Sequence, residues 1–391
     1  MTVRDGDIAP PEPDRYTLDG DDAVEARIAA DQALIAGAVR EVLAPPAFRA
    51  LVLMGGYGRG EGGYVVRDGQ PRAYNDYDYF VVVRDLRGAH RDAAIAALAD
   101  KARDLERDVG VEVDFALLPE AGLPSAEYTL MNAEMIWGHR VVAGDPQVLE
   151  AMPPMPFSGL PAGEFTRLLL NRGALLLMNQ VSLAGGQALS DNEREVFFKY
   201  LFKAVLACGD ARLAGDRSYH PSYVKKLALL QSGEAGEDGR FLDYYVQAWE
   251  NKFHPNYGRY AGADAGSWQR RVVRIWLDTL SWFEGRRTGG EVADWTAYGS
   301  PSVPKGQGRR SWGGLRNLAI TLRDFGPGQV LRQPRWSLRY PRERLISVLP
   351  LLLQPGAGVP GPQVAAAVAT PPGSSWQETA AAFLRLWRRY A

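Results

Sequence analysis

The spacing with the most chemistry in this chain is Asp76-Tyr77-Asp78, at the head of the apolar run "DYDYFVVV". Alternate residues of a strand point the same way, so the two carboxylates share one side and Tyr77 and Tyr79 take the other. Two such carboxylates repel unless a cation relieves them, and neither has a basic neighbour in sequence. Mg²⁺ takes one or two carboxylates together with phosphate oxygens and water, so the pattern predicts an ion of this class, with Mn²⁺ as the alternative. In "GVEVDFALL", Glu112 and Asp114 also share a face, and Asp114 lies between apolar Val113 and Phe115. Pairing of that strand beside the first would let Asp114 complete a three-carboxylate cluster. Such clusters hold two metal ions about 3.5–4 Å apart, one for each oxygen of a phosphoryl displacement. Glu112 is expected to face solvent.

Upstream, "LVLMGGYGRGEGG" puts Gly55 and Gly56 directly after an apolar strand. Glycine lets the backbone approach a ligand closely and turn its N–H groups toward an anion. Arg59, between Gly58 and Gly60, is a candidate charge-assisted donor to outer phosphates. Glu61 and Asn75 read as residues that order the loop.

These residues carry a resemblance. "GG" at 55–56, "DYD" at 76–78 and "VDF" at 113–115 resemble the nucleotidyltransferase superfamily with the DNA polymerase β-type palm, in its small-molecule form. The likeness covers residues 45–120. It implies that Asp76 and Asp78 bind both metals, that Asp114 binds the catalytic metal and helps activate an acceptor hydroxyl, and that Gly55 and Gly56 hold the triphosphate. It also implies an NTP co-substrate. One departure is the spacing: residues 57–75 separate the glycine pair from Asp76, more than the family usually shows, and the Asp68-Gly69 turn reads as a hairpin insertion.

Several elements must position these groups. "DDAVEARIAADQALIAGAVREVL" has helical periodicity from Asp21 to about Leu43, stopped by Pro45 and Pro46. Strand, glycine loop, strand, helix (89–107), Gly110 stop and strand (110–118) outline a small α/β unit. The proline-rich "PPMPFSGLP" (153–161) marks a boundary, and wide apolar helical faces follow it. The expected fold class is therefore α+β: an N-terminal nucleotidyltransferase-like mixed sheet with helices, then a mainly α-helical region similar to the helical partner domain of small-molecule nucleotidyltransferases. The expected divisions are a loose leader at 1–20, a catalytic domain at 21–155, a helical domain at 160–300 and a basic helical extension at 301–391.

In the helical part, Glu195, Lys199 and Lys203 recur at i, i+4 spacing and read first as a solvated ion-pair stripe. Lys203 is also a candidate triphosphate ligand. Ser222 is expected to cap "YVKKLALLQ", with Lys225 and Lys226 at the surface. Cys208 reads as a buried small hydrophobe.

The chain has 391 residues, 46% hydrophobic, with net charge −1, which gives no general attraction to nucleic acid. Nine acids in residues 1–35 contrast with ten basic residues in 305–344, where Arg309, Arg310, Arg316, Arg323, Arg332, Arg335 and Arg339 interleave with Trp312, Phe325, Trp336 and Tyr340. Such a mixture stacks bases and neutralises phosphates, or else packs its rings into a helical core. One cysteine and the lack of a signal-like segment fit a cytoplasmic protein. The longest apolar run, "LISVLPLLL", is too short to span a bilayer and is interrupted by Pro350, so no membrane partner is expected. Four scattered histidines disfavour a zinc site.

The expected function is Mg²⁺-dependent transfer of an NMP from an NTP to a hydroxyl, on a small-molecule acceptor, releasing pyrophosphate. The alternatives are nucleic-acid or protein nucleotidylation through 305–344, and a non-catalytic nucleotide-binding protein of the same fold. A nucleotide-sugar glycosyltransferase also uses Asp-x-Asp, but only one helix and one strand precede the motif here.

Overall fold

In the computed structural model, which describes residues 15–233, 239–300, 305–306, 313–354 and 360–390, the run Phe48–Leu53 forms the first strand, β1. The helix before it, α1 (Asp22–Val42), is capped by the Asp21 side chain, which accepts from the Val24 N–H at 2.9 Å. A one-turn helix, α2 (Gly55–Gly58), follows β1, then a hairpin of β2 (Tyr64–Arg67) and β3 (Gln70–Ala73). The Asp-x-Asp strand is β4 (Tyr77–Val83), joined through α3 (Gly88–Val109) to β5 (Val113–Pro119). Helix α4 (Leu130–Trp137) leads to β6 (Arg140–Gly144), a strand the sequence reading did not assign.

The main sheet has the order β5-β4-β1-β6, with β4 and β5 parallel and the other pairs antiparallel. The Asp114 strand thus lies beside β4 itself. The parallel pairing requires a crossover, and α3 supplies it, ending at Gly110 with φ of 81°. Both faces of the sheet are covered. Leu51, Leu53, Tyr77, Tyr79, Val81 and Val83 pack against α1 and α3, and Ala50, Val52, Phe80 and Val82 pack with Ala133 and Met135 of α4. The phenols of Tyr77 and Tyr79 reach Asp31 (3.0 Å) and Gln32 (2.5 Å) of α1. This commits the odd positions of β4 to one layer and leaves its even positions to the other.

The hairpin is a separate two-stranded sheet whose turn, Asp68 (φ 52°) and Gly69 (φ 72°), has the positive dihedrals of a type I′ connection. Its base is closed. The Tyr57 hydroxyl donates to Gly63 O (2.6 Å) and accepts from Tyr74 N (2.9 Å) and Asn75 N (3.1 Å), while Asn75 Oδ1 accepts from Gly63 N (3.1 Å). The chain leaves and re-enters the domain at one point, so the inserted residues do not pry the glycine loop from β4.

Residues 1–14 of the expected leader lie outside the described residues. The part that follows is packed rather than loose. Thr17 is buried and bridges Gly62, and Tyr16 N and Thr17 N donate to the Glu25 carboxylate at 2.6 and 3.0 Å.

The chain divides into two compact units. The first comprises residues up to Pro161 together with Ser218–Ala228 and Trp249–Asn256; the second takes Ala162–Arg217, Leu229–Ala248 and the described residues from Tyr257 onward. The helices that follow α4 are α5 (Gly163–Ala184), α6 (Asp191–Gly215), α7 (Tyr223–Ser232), α8 (Gly239–Phe253) and α9 (Ala265–Thr288). After them come α10 (Trp295–Tyr298), α11 (Gly313–Phe325), α12 (Pro327–Arg332), α13 (Pro334–Ser337), α14 (Pro341–Leu353), α15 (Pro362–Val368) and α16 (Trp376–Tyr390). The architecture is therefore α+β, with a four-stranded mixed sheet near the N-terminus and helices after it. In the second unit α5, α6 and α9 pack together, and Gly173 of α5 lets the Trp276 ring approach so closely that a Cβ would sit 2.5 Å from it. Pro350 does not end its helix: α14 runs on to Leu353, because a proline so near the end removes only one intrahelical bond. Cys208 on α6 is fully buried, and burial pushes its thiol up to about 12. Among the described residues no helix is long and apolar enough to cross a membrane.

Arg309, Arg310 and Trp312 fall outside the described residues. Of the other aromatics in 305–344, Trp336 is buried, Phe325 lies under the Arg344 guanidinium (4.3 Å) and Tyr340 meets Tyr390 edge-on. Arg344 is itself buried, donates to Thr321 Oγ1 and Trp336 O, and burial lowers its pKa to about 10. Trp336 thus packs into the helical core, while Phe325 and Tyr340 are half-buried against neighbouring side chains.

Candidate functional site

The parallel register of β4 and β5 sets Asp78 directly opposite Asp114, and partners in register share a face. Asp76 lies two residues before Asp78, at the point where the chain enters β4. The Asp114 carboxyl is held above its ordinary value by partial burial first, then by the Asp76 carboxylate and by Glu106. Asp76 and Asp78 are half-buried, while Asp114 and Glu112 are exposed. Gly55 closes this end of the sheet. Its φ of 66° belongs to glycine, and the nearest atom to a Cβ built there is Asp78 Oδ2, at 3.5 Å. Met54 N donates to Asp78 O at 2.9 Å, tying the glycine turn to the Asp strand.

Arg59 has a different setting from the one its flanking glycines predict. Its side chain is 5% exposed and turned inward, with Nη1 3.5 Å from Glu134 Oε2 and Nε 3.9 Å from Glu61 Oε2. Gly58 and Gly138 make this possible: a Cβ at 58 would meet Leu53 O at 2.6 Å, and one at 138 would meet Arg59 Cγ at 2.3 Å. Glu61 is buried and accepts from Ser222 Oγ (2.5 Å) and Tyr223 N (3.0 Å), so it caps α7 from the glycine loop. Ser222 Oγ in turn accepts from Lys225 N at 3.3 Å, the capping role its sequence position predicts.

Lys225 is exposed as expected, but Lys226 is not a surface lysine. It is 1% exposed, faces the rings of Tyr219 and Tyr223 at 4.7 and 4.3 Å, and donates to Tyr219 Oη at 3.2 Å. The Tyr219 hydroxyl donates to Glu134 Oε1, and Lys226 Nζ stands 3.8 Å from the same oxygen. Burial alone would raise the Glu134 pKa, yet Arg59, Lys226, Tyr219 and Lys252 together bring it below the ordinary glutamate value. Glu134 has no role in the sequence reading, and Lys226 is expected there only as a surface lysine. The available signal was a lone acid in "LMNAEMIW", and a lysine three residues after Tyr223 and four before Leu230, on the buried side of α7.

His220 lies beside this network, edge-on to Trp137, with Nδ1 accepting from Ser222 N at 3.0 Å. Burial, with Lys226 adding to it, lowers its pKa from 6.5 to about 4. The folded protein therefore keeps His220 neutral where the unfolded chain already binds a proton. Its contribution to stability is full above pH 6.5 and is lost as pH falls toward 4. Urea unfolding of the wild type is expected to show a loss of about 2–3 kcal/mol from this group between those limits. His220→Asn, which keeps an acceptor, should flatten that slope; an unchanged slope assigns the acid sensitivity elsewhere.

Lys203 is half-buried on α6 in the second unit, as are Glu195 and Lys199. Among the described residues no three His, Cys, Asp or Glu side chains converge into a ready metal cage. Mg²⁺ does not demand one, because it keeps several waters and draws part of its shell from substrate phosphates. The side chains of Asp76, Asp78 and Asp114 at the head of β4 and β5 offer carboxylate oxygens, the type Mg²⁺ takes. No family profile, curated protein or solved structure matches this chain.

Proposed function

We propose that the protein is a Mg²⁺-dependent nucleotidyltransferase that moves an NMP from an NTP to a hydroxyl of a small-molecule acceptor. The observation that carries this reading is the register pairing of Asp78 with Asp114, with Asp76 two residues before Asp78, beside the Gly55 turn.

Asp76 and Asp78 would hold Mg²⁺, with Asp114 completing the set for a second ion. Bound there, Mg²⁺ supplies charge neutralisation for a phosphoryl displacement. Asp114, the most exposed of the three, accepts the hydrogen of the acceptor hydroxyl and orients its oxygen. That oxygen forms a bond to the α-phosphorus, the bond from the α-phosphorus to the bridging oxygen breaks, and pyrophosphate leaves with the electron pair. Gly55, without a side chain, lets the phosphates approach the backbone at the β1 end, while the space beside Gly56 is taken by Glu61 O, 2.8 Å from where a Cβ would sit. Arg59 supports the loop from within rather than reaching outward. A small acceptor is favoured over nucleic acid by the net charge of −1 and by the burial of Trp336.

The test is incubation with each α-labelled NTP, Mg²⁺ and a metabolite extract, following label transfer and pyrophosphate release together. Equal amounts of both products support the reading. Failure of every NTP to bind in calorimetry with Mg²⁺ present would overturn it.

A further inference from the structure

We propose that Glu134 is a positioning residue that, acting through Arg59, sets the conformation of the Gly55–Gly63 loop and so its affinity for nucleotide phosphates. The functional half of this inference rests on the nucleotidyltransferase reading; the conformational half rests on the loop geometry alone.

Arg59 is tied to both glycines through its backbone. Its N–H is shared between Gly55 O (3.3 Å) and Gly56 O (3.2 Å), and Glu61 N donates to Gly56 O at 2.7 Å. The orientation of residues 59–61 therefore fixes the peptide planes that would face a phosphate. What fixes Arg59 is its side chain. The guanidinium is buried, its stem fills the space left by Gly138, and its Nε makes no hydrogen bond. The close counter-charge is Glu134, 3.5 Å from Nη1.

Glu134 is itself held. Its Oε1 accepts from Tyr219, whose oxygen takes a hydrogen bond from Lys226, so the carboxylate cannot swing away without breaking two contacts. Glu61 cannot replace it. That carboxylate is engaged with Ser222 and Tyr223 and stands 3.9 Å from Arg59 Nε, beyond hydrogen-bond reach. A continuous set of contacts thus runs from α4 through Arg59 to the carbonyls of Gly55 and Gly56. Removing one charge of a buried pair is costly to the other, and loss of the Glu134 charge leaves Arg59 with only the longer Glu61 contact at 3.9 Å, so Arg59 is expected to shift or draw in water.

Glu134→Gln keeps the shape and removes the charge; Glu134→Asp keeps the charge on a shorter arm and serves if the first variant folds poorly. Amide hydrogen exchange of the nucleotide-free protein is measured alongside calorimetric binding of Mg²⁺·ATP and the other three NTPs. In Glu134→Gln, amides 55–63 are expected to exchange about tenfold faster than in the wild type, a local change of about 1.4 kcal/mol. The rest of the first unit should change little, and affinity for the bound NTP should fall by a similar factor. Glu134→Asp should lie between. Adding Glu134→Gln to Arg59→Lys should cost little more than Arg59→Lys alone, because both act on one contact. Unchanged exchange at 55–63, or a uniform rise across the unit with no extra effect at the loop, overturns the proposal. If the wild type binds no NTP, the nucleotidyltransferase reading fails while the exchange data still decide whether Glu134 sets the loop.

Discussion

Asp76→Ala/Asp78→Ala is expected to lower the nucleotidyl-transfer rate by on the order of 10³-fold or more, about 4 kcal/mol of transition-state stabilisation. The double variant should still fold, because both carboxylates are only half-buried, at the end of the sheet where Asp78 pairs in register with Asp114. The measurements are initial rates with saturating NTP and thermal melts with and without Mg²⁺. Mg²⁺ should raise the wild-type midpoint and leave that of the double variant unmoved. Equal rates for the two proteins would remove these aspartates from the chemistry. A large fall in the midpoint of the metal-free variant would make them structural residues instead.

Much of this site is legible in the sequence because strands and tight turns have short-range signatures. Alternation assigns Asp76 and Asp78 to one side and the tyrosines to the other, and the structure buries Tyr77 and Tyr79 against α1 and α3. Asp68-Gly69 needs two positive dihedrals in succession, and it has them. What could not be read is what depends on partners far away in the chain. Arg59, set among glycines, looks free to extend outward. Its direction is decided by Glu134, 75 positions later, and by the missing side chain of Gly138. Lys226 sits beside Lys225 in a run that looks solvated, but helical phase puts only one of them among Tyr219, Tyr223 and Glu134. β6 is short and ends at Gly144, whose φ of 93° and close approach to Arg49 O give no signal until the neighbouring strand is known. β5 illustrates the same limit: its pattern marks a strand, but its choice of β4 over β1 as neighbour is set by the α3 crossover.

The second large effect is expected at Tyr57, which has no charge and no place in the carboxylate set. Tyr57→Phe keeps the ring that packs on Tyr77 at 4.9 Å and removes only the hydroxyl. That oxygen joins Gly63 O, Tyr74 N and Asn75 N, the three backbone groups at the mouth of the inserted hairpin. Tyr74 N retains Gly63 O as an acceptor at 3.2 Å, so Asn75 N and one lone pair of Gly63 are left in need of water. A buried group without its partner costs about 1–3 kcal/mol, and the variant should lose about 2–3 kcal/mol in urea unfolding. Burial drives the Tyr57 phenol far above its usual range, so the clamp does not titrate where the protein would work. The functional consequence follows from position: Asn75 immediately precedes Asp76, so a looser mouth loosens the first of the proposed metal ligands. Transfer should fall about tenfold or more, with the Mg²⁺ dependence shifted to higher concentration. Replacing the exposed hairpin tip, residues 66–70, by a shorter turn should cost far less, because those residues lie outside the core and the hairpin shares no sheet hydrogen bonds with the carboxylates' strands. If instead the tip replacement abolishes Mg²⁺ dependence while Tyr57→Phe leaves it intact, the insertion itself is part of the site and the clamp only supports it.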